Sequence, residues 1–446
     1  MSASLEELLR DAKVEMVVAR VEKDPSIIKE LTELLGHEVR SVRFNAALTL
    51  GELGETASEA VSQLVVCLED EDWSICREAA RSLGKIGESA VDSIPSLSKL
   101  LEDNEVSIRK AAAISLGKIG VGTIESQYRL VAALRDTDEE VRTEVVKTLG
   151  AMGASAHATI PDLIERLRDA SWTVRTAAAQ AIRKIGKGSS EAIPTLISTL
   201  EDRDWRVRYR VIDTLVEIGE QAIPPLLESL NHENEIVRKG AVDALGEMKV
   251  TEPVYIMAIA AQLSDSKEGV RGKAADALRN IGVPAIPALL NSYESANKSM
   301  KTLIISSLGG IGEEARDAIP SLIGILSEGG TQDRAEAARA LGKIAMGEDS
   351  AIRALVNALE DTKVKVRREA ALSLGKISPV ESDAVPALVR TLSDPKPDVR
   401  WRAAEALGKI GKSSPEITSA LEGLIYDEFD YVSEAAQEAL DLIGGD

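Results

Sequence analysis

The side chains able to do chemistry are sparse and scattered in this chain. Histidine occurs three times, at His37, His157 and His232, and cysteine twice, at Cys67 and Cys76. A zinc or iron site needs several ligands at short repeated spacings, and two cysteines nine residues apart supply neither that nor a disulfide framework. The thiols read as two small buried side chains in a reducing compartment. Phosphate loops and nucleophile elbows are missing from the sequence as well. No residue is therefore assigned a catalytic, cofactor-binding or metal-binding role. What does recur is a charge pair. Asp and Arg stand six residues apart at Asp103 and Arg109, Asp136 and Arg142, Asp169 and Arg175, Asp202 and Arg208, Asp265 and Arg271, Asp361 and Arg367, and Asp394 and Arg400. A turn Asp can cap the helix that follows it, and a guanidinium can hold carboxylates and carbonyls, so the pair reads as structure before function.

The elements that place these charges come from a repeat. The line Val-Arg-x-x-Ala-Ala-x-x-Leu-Gly-x-Ile-Gly, clearest at Ile108 to Gly120 and Val399 to Gly411, recurs with its first position, the anchor, at 42, 75, 108, 141, 174, 207, 237, 270, 300, 333, 366, 399 and 432. The step is 33 residues ten times and 30 residues twice, a period that marks stacked repeats rather than packed globular domains. Leu or Ile stands eleven positions before every anchor, and Leu stands eight positions after it in twelve of thirteen repeats. Each repeat reads as two short helices. Leu97, Leu100 and Leu101 give the first helix one apolar stripe. Pro95, Pro161, Pro194, Pro224, Pro287, Pro320 and Pro386 mark its start, where a missing N–H costs nothing. The second helix ends at Gly in ten repeats, as a left-handed cap requires. Residues 1 to 25, with Leu5, Leu8, Leu9 and Val17 on one side, read as a terminal cap. The fold class expected is all-α, an α-α superhelix of about thirteen two-helix repeats. Its organisation is a cap at 1–25, repeats 1–6 at 26–219, irregular repeats 7–9 at 220–312, and repeats 10–13 at 313–446, in one continuous solenoid.

Composition narrows the function class. The 446 residues are 44% apolar and carry 53 Lys and Arg against 73 Asp and Glu, a net charge of −20, so the chain folds but has no general grip on phosphate backbones. Aromatics are only 3% of the chain, too few for base-stacking platforms. The longest apolar run, Val254 to Ala261, is far short of the roughly 20 residues that cross a bilayer. A soluble, cytoplasmic protein with no membrane partner is expected, and binding of a nucleic-acid backbone through local basic patches is kept only as the lesser alternative.

The Ala-Ile-Pro-x-Leu helix start, the Asp before the turn and the second-helix line together resemble HEAT repeats, most closely the subgroup named after the phycobilisome lyases. The resemblance covers residues 26 to 446. It implies a binding scaffold, with the Asp and Arg residues forming a ladder between repeats. Two enzymatic readings follow from the same resemblance. A bilin-lyase-type subunit is the alternative function, although no bilin-contact residue can be carried over. Deoxyhypusine hydroxylase, a HEAT-like enzyme, binds iron through His-Glu pairs on the second helix, whereas His37-Glu38 and His232-Glu233 fall in the turns here.

Small residues four, five and nine positions after the anchor let second helices approach one another, so these helices should line the concave face. Their exposed arc, at +2, +3, +6 and +10, carries two basic patches. Repeats 2–5 supply Arg77, Arg81, Lys85, Lys110, Lys118, Lys147 and Lys184, and repeats 10–12 supply Arg339, Lys343, Arg368, Lys376, Arg402 and Lys409, with Tyr209, Arg210 and Trp401 on the same arc. These sixteen residues are the expected partner-binding site, and the expected partner is a protein with an acidic or mixed-charge surface. Trp73, Trp172 and Trp205, two residues before their anchors, are expected to pack over the turns. Repeats 7–9, which contain both short steps, are expected to be the softest joint.

Overall fold

The computed structural model describes residues 3–120, 124–378 and 383–444, and the side chains at 187 and 188 are left aside. Met1 and Ser2, within the expected cap, lie outside the described residues. Among the described residues every regular element is a helix. The chain divides into two compact units, Met1–Pro225 and Leu226–Asp446.

In each unit the repeats are helix pairs in the expected places. Repeat 3 pairs Ile94–Lys99 with Val106–Ile119, and repeat 11 pairs Asp349–Ala358 with Val364–Ile377. The two leucine columns make the core. The thirteen side chains eleven positions before the anchors, from Leu31 to Leu421, are all at 0% exposure, and so are Leu50, Leu83, Leu116 and Leu149 of the other column. Each such burial contributes about 2 kcal/mol relative to an exposed side chain, so the columns fix where each helix faces inward. Proline is the second residue of Ile94–Lys99, Ile160–Arg166 and Ile193–Thr199, which satisfies the start signal read from the sequence.

Gly411, at φ 70° and ψ 10°, takes the expected left-handed cap, but other helix exits differ from it. Gly54, Gly87, Gly186, Gly219, Gly282 and Gly312 have φ between 57° and 94°, but ψ lies between −135° and −156°. Only glycine enters that region without strain. The exit leads into a 3₁₀ turn such as Gly87–Ser93, which delivers the chain to the next first helix. In the two 30-residue steps these turns shrink to Gly219–Ala222 and Val283–Ala285, so the deletions are absorbed in the connectors and the helices keep their length.

The N-terminal segment is two helices, Leu5–Arg10 and Val14–Val21. The first opens with a reciprocal capping box between Ser4 and Glu7. Leu5, Leu8, Leu9 and Val17 are buried as expected, and the buried Asn45 of the first repeat donates to the Leu9 carbonyl at 2.7 Å. No helix among the described residues is long and apolar enough to cross a membrane.

Candidate functional site: the second-helix face

Second helices of neighbouring repeats touch almost backbone to backbone. A Cβ placed on Gly150 would fall 2.7 Å from the Cα of Ala181, and one on Gly375 would fall 2.7 Å from that of Ala406. Glycine at +9 is therefore required by close approach. The residue it meets is always seven positions after the next anchor, where the chain has only Ser, Thr or Ala. Several of these hydroxyls cross the repeat boundary. Ser82 donates to Ala47 O at 2.7 Å, Ser115 to Ala80 O at 2.7 Å, and Thr148 to Ala113 O at 2.7 Å. The strict smallness of that column was a visible signal, but sequence reasoning had singled out only +4, +5 and +9.

The Asp–Arg pairs run between repeats. Arg109 binds Asp136 of the following repeat at 2.6 and 2.9 Å, while its remaining nitrogen donates to the carbonyls of Asp103 and Asn104 in its own turn. Arg43–Asp70, Arg142–Asp169 and Arg175–Asp202 complete the rungs of the first unit, and Arg238–Asp265, Arg334–Asp361, Arg367–Asp394 and Arg400–Asp427 form those of the second. The Asp does not cap the second helix. Its Oδ1 accepts the amide two residues on, as in Asp136 with Asp138, and the cap is the next acidic or amide residue, Asp72, Asp138, Asp204 or Asn234. His37 and His232 occupy the same turn position, and their Nδ1 atoms accept the amides of Val39 and Asn234 in the carboxylate's place. In repeat 2 the Arg position is Cys76, whose thiol donates to Leu68 O at 3.0 Å. Burial pushes the Cys67 thiol up to about 11 and the Cys76 thiol up to about 12, so neither is a nucleophile at neutral pH.

The sixteen residues assigned to partner binding separate into two groups. Arg81, Lys85, Lys118, Lys147, Lys184, Tyr209, Lys343, Lys376 and Lys409 are exposed, whereas Arg77, Lys110, Arg210, Arg339, Arg368, Trp401 and Arg402 are half-buried. Most half-buried cations are already paired with protein carboxylates. Arg339 holds Glu336 at 2.9 Å and reaches Glu369 of the next repeat at 3.0 Å, and Arg368 holds Glu369 at 3.0 Å. Arg210 holds Asp213 at 2.9 Å, Arg402 holds Glu405 at 2.5 Å, and Lys110 holds Glu140. Burial pushes the Glu369 carboxyl up, but the bonds from Arg339 and Arg368 outweigh it and keep the group below its usual range. These arginines knit the face together.

The free charge is left on the lysines at +10. Lys85 and Lys409 pair with Glu52 and Glu405 at 2.7 and 2.6 Å, but Lys118, Lys184, Lys343 and Lys376 form no ion pair among the described residues. In the first unit, Lys118, Lys147 and Lys184 rim a groove of about 380 Å³ floored by Gly117, Gly150, Ala151, Ala177 and Ala181. Its one carboxylate, Glu144, is held by Lys147 at 2.8 Å. In the second unit the Lys376 ammonium is held below the usual lysine value, first by partial burial and then by Lys343, with Arg339 and Lys409 adding to it. In each unit, therefore, lysines without an ion pair among the described residues stand on the second helices of a chain at −20.

The tryptophans depart from expectation. Trp73, Trp172 and Trp205 open their second helices at 48%, 37% and 65% exposure instead of packing over the turns. The Arg206 guanidinium lies 3.4 Å from the Trp172 ring centroid, and Arg77 lies 4.9 Å from that of Trp73. Trp401 is half-buried between Arg402 at 3.7 Å and the edge-on ring of Tyr431 at 5.7 Å.

Paired helices, interlocked second helices and a ladder of Arg–Asp rungs define an all-α repeat protein of the solenoid class. A family model of HEAT repeats matches residues 10–78, 28–117, 94–183, 160–246, 193–265, 223–309, 256–342, 319–383 and 352–441, and the chain belongs to that family. Among solved structures it is similar to the karyopherin Kap121p. The form bound to Ste12p is 15% identical with a TM-score of 0.60, the match covering 95% of this chain and 53% of that one. The form bound to Nup53p is 16% identical with a TM-score of 0.60 and covers the same shares, 95% and 53%. The form bound to the extreme C-terminus of the protein phosphatase Cdc14p is 16% identical with a TM-score of 0.58, again covering 95% and 53%. At this identity the likeness is one of fold, and the chain spans about half the length of these relatives. No curated protein sequence matches it.

Proposed function

We propose that this protein is a non-catalytic interaction scaffold or assembly factor that takes an acidic protein segment along the concave, second-helix side of its repeats. The observation that carries the reading is the set of lysines at +10. Lys118, Lys184, Lys343 and Lys376, on the second helices, form no ion pair among the described residues, while Arg339 and Arg368, on the same helices as Lys343 and Lys376, are neutralised by glutamates. Unpaired cations on a chain at −20 favour a partner that supplies carboxylates, and they raise the rate at which it docks. The structural relatives support the class, since these three forms of Kap121p are each bound to another protein. The resemblance to the phycobilisome-lyase-like subgroup concerns the repeat line and leaves this reading in place.

The test is affinity capture from native lysate by the wild-type chain and by a variant carrying Lys118→Glu, Lys184→Glu, Lys343→Glu and Lys376→Glu. All four side chains are exposed, so the variant should melt with the wild type. Acidic proteins held by the wild type and lost from the variant are expected. The same proteins captured by both would overturn the proposal.

A further inference from the structure

The spacing of the lysines specifies more than the sign of the partner's charge. Lys343, Lys376 and Lys409 occupy equivalent positions on the successive second helices Thr331–Ile344, Val364–Ile377 and Pro397–Ile410. Those helices are in close contact, since a Cβ on Gly342 would fall 2.6 Å from Ser373 Cβ and one on Gly375 would fall 2.7 Å from Ala406 Cα. Helices in contact lie about 8–10 Å apart, so the positions that carry the lysines repeat at about that interval across the stack. Seven residues of α-helix advance about 10.5 Å and return to the same face. A β-strand returns to one face every two residues, at about 6.6 Å or 13 Å, and misses the interval. Gly342, Gly375 and Gly408, one position before the lysines, are buried in the contacts between these helices, and half-buried Leu372 lies a turn from Lys376.

Resting on the acidic-partner reading above, we propose that the row Lys343, Lys376 and Lys409 is a docking surface for an acidic α-helix of a partner protein, laid across the second helices so that carboxylates at i, i+7 and i+14 meet successive lysines. Two of the three lysines have no ion pair among the described residues, and the third would exchange Glu405 for the incoming group.

Two labelled peptides of about 20 residues, matched in composition and helicity, provide the test. One carries three Glu at heptad spacing, and the other has the same Glu displaced around the helix. Fluorescence anisotropy with the full chain at low salt gives both affinities. Each exposed ion pair contributes a factor of about two, so the heptad peptide should bind about tenfold tighter, and Lys343→Glu with Lys376→Glu should abolish the difference. Equal binding of the two peptides, lost together in the double variant, would overturn the spacing and leave the acidic-partner reading standing. No binding of either would overturn both. A single-stranded oligonucleotide that binds tighter than the heptad peptide would overturn the proposal in favour of a phosphate backbone.

Discussion

The Arg–Asp ladder can be tested most sharply at Arg142. Its guanidinium makes two bonds to Asp169, at 2.9 and 2.8 Å, and two to the carbonyls of Asp136 and Thr137, at 2.8 and 3.2 Å. The Arg142 and Asp169 side chains are 14% and 5% exposed, so the pair is desolvated. Arg142→Ala would leave the Asp169 carboxylate buried with only the Ser171 amide at 2.9 Å and Arg166 at 3.8 Å. Breaking such a pair from one side costs about 3–5 kcal/mol, and the remaining contacts to Asp169 place the expectation near the lower end. Arg271 is the internal control. It bonds the carbonyls of Asp265 and Ser266, but Ser295 stands where the next repeat would supply the carboxylate. Arg271→Ala removes only hydrogen bonds from a charged group, about 1.5–3 kcal/mol before exposure reduces it. Repeat arrays need not unfold in one step, so the assay is native-state hydrogen exchange on Glu139–Ala151 and Trp172–Ile185 for Arg142→Ala, and on Glu268–Ile281 and Lys298–Ile311 for Arg271→Ala. Protection lost near Arg142 should exceed that lost near Arg271, by about tenfold in exchange rate if exposure holds the Arg271 loss near 1.5 kcal/mol. Equal losses would show that the carbonyl contacts, present at both sites, carry the ladder, and the argument from the buried carboxylate would fail.

Three further outcomes are expected. The ladder carboxylates are held below the usual range: at Asp265 and Asp427 the bonds from Arg238 and Arg400 are the largest cause, and at Asp136, Asp169 and Asp361 burial pushes up but the Arg bonds, with a backbone amide and nearby charge, outweigh it. Asp72 is held at about 2 by Ser74 and Arg40. Depressed values stabilise the fold fully above about pH 4 and lose that contribution as pH falls toward 2, so a urea series should show stability dropping across that window and flat from pH 5 to 7. Gly87→Ala should cost about 1–3 kcal/mol because its φ of 77° and ψ of −143° exclude a side chain, whereas Ser378→Gly, at φ 49°, should gain about 0.5–1 kcal/mol, both read as shifts in melting temperature. Lys298–Ile311, where Lys301 lies over the Tyr293 ring at 4.6 Å in place of an Arg–Asp rung, should exchange its amides faster than Glu139–Ala151, and equal rates would contradict a soft joint there.

The repeat itself was legible in the sequence. A 33-residue period with two leucine columns, proline at helix starts and glycine at helix ends fixes two helices per repeat, because each signal acts within a few residues of the bond or cap that it controls. Both leucine columns fell in the core, except that Leu440 of the last repeat is half-buried. The binding face was only half legible. Counting charges on the exposed arc gave Arg339, Arg368 and Arg402 the same weight as Lys343 and Lys376, yet Glu336, Glu369 and Glu405 neutralise the arginines. Likewise spacing alone set the Asp and Arg of one repeat side by side, and only the resemblance pointed to a ladder between repeats; in the rungs that form, the carboxylate binds the Arg of the repeat before it, 27 residues away, and Asp103, which follows Cys76, stands outside the ladder. The exposed Trp205 and the hydroxyl of Ser115 reaching Ala80 have the same origin. Periodicity determines what each repeat is. Which of its charges and hydroxyls are spent internally depends on contacts with the neighbouring repeat, and only the packing of one second helix against the next decided that.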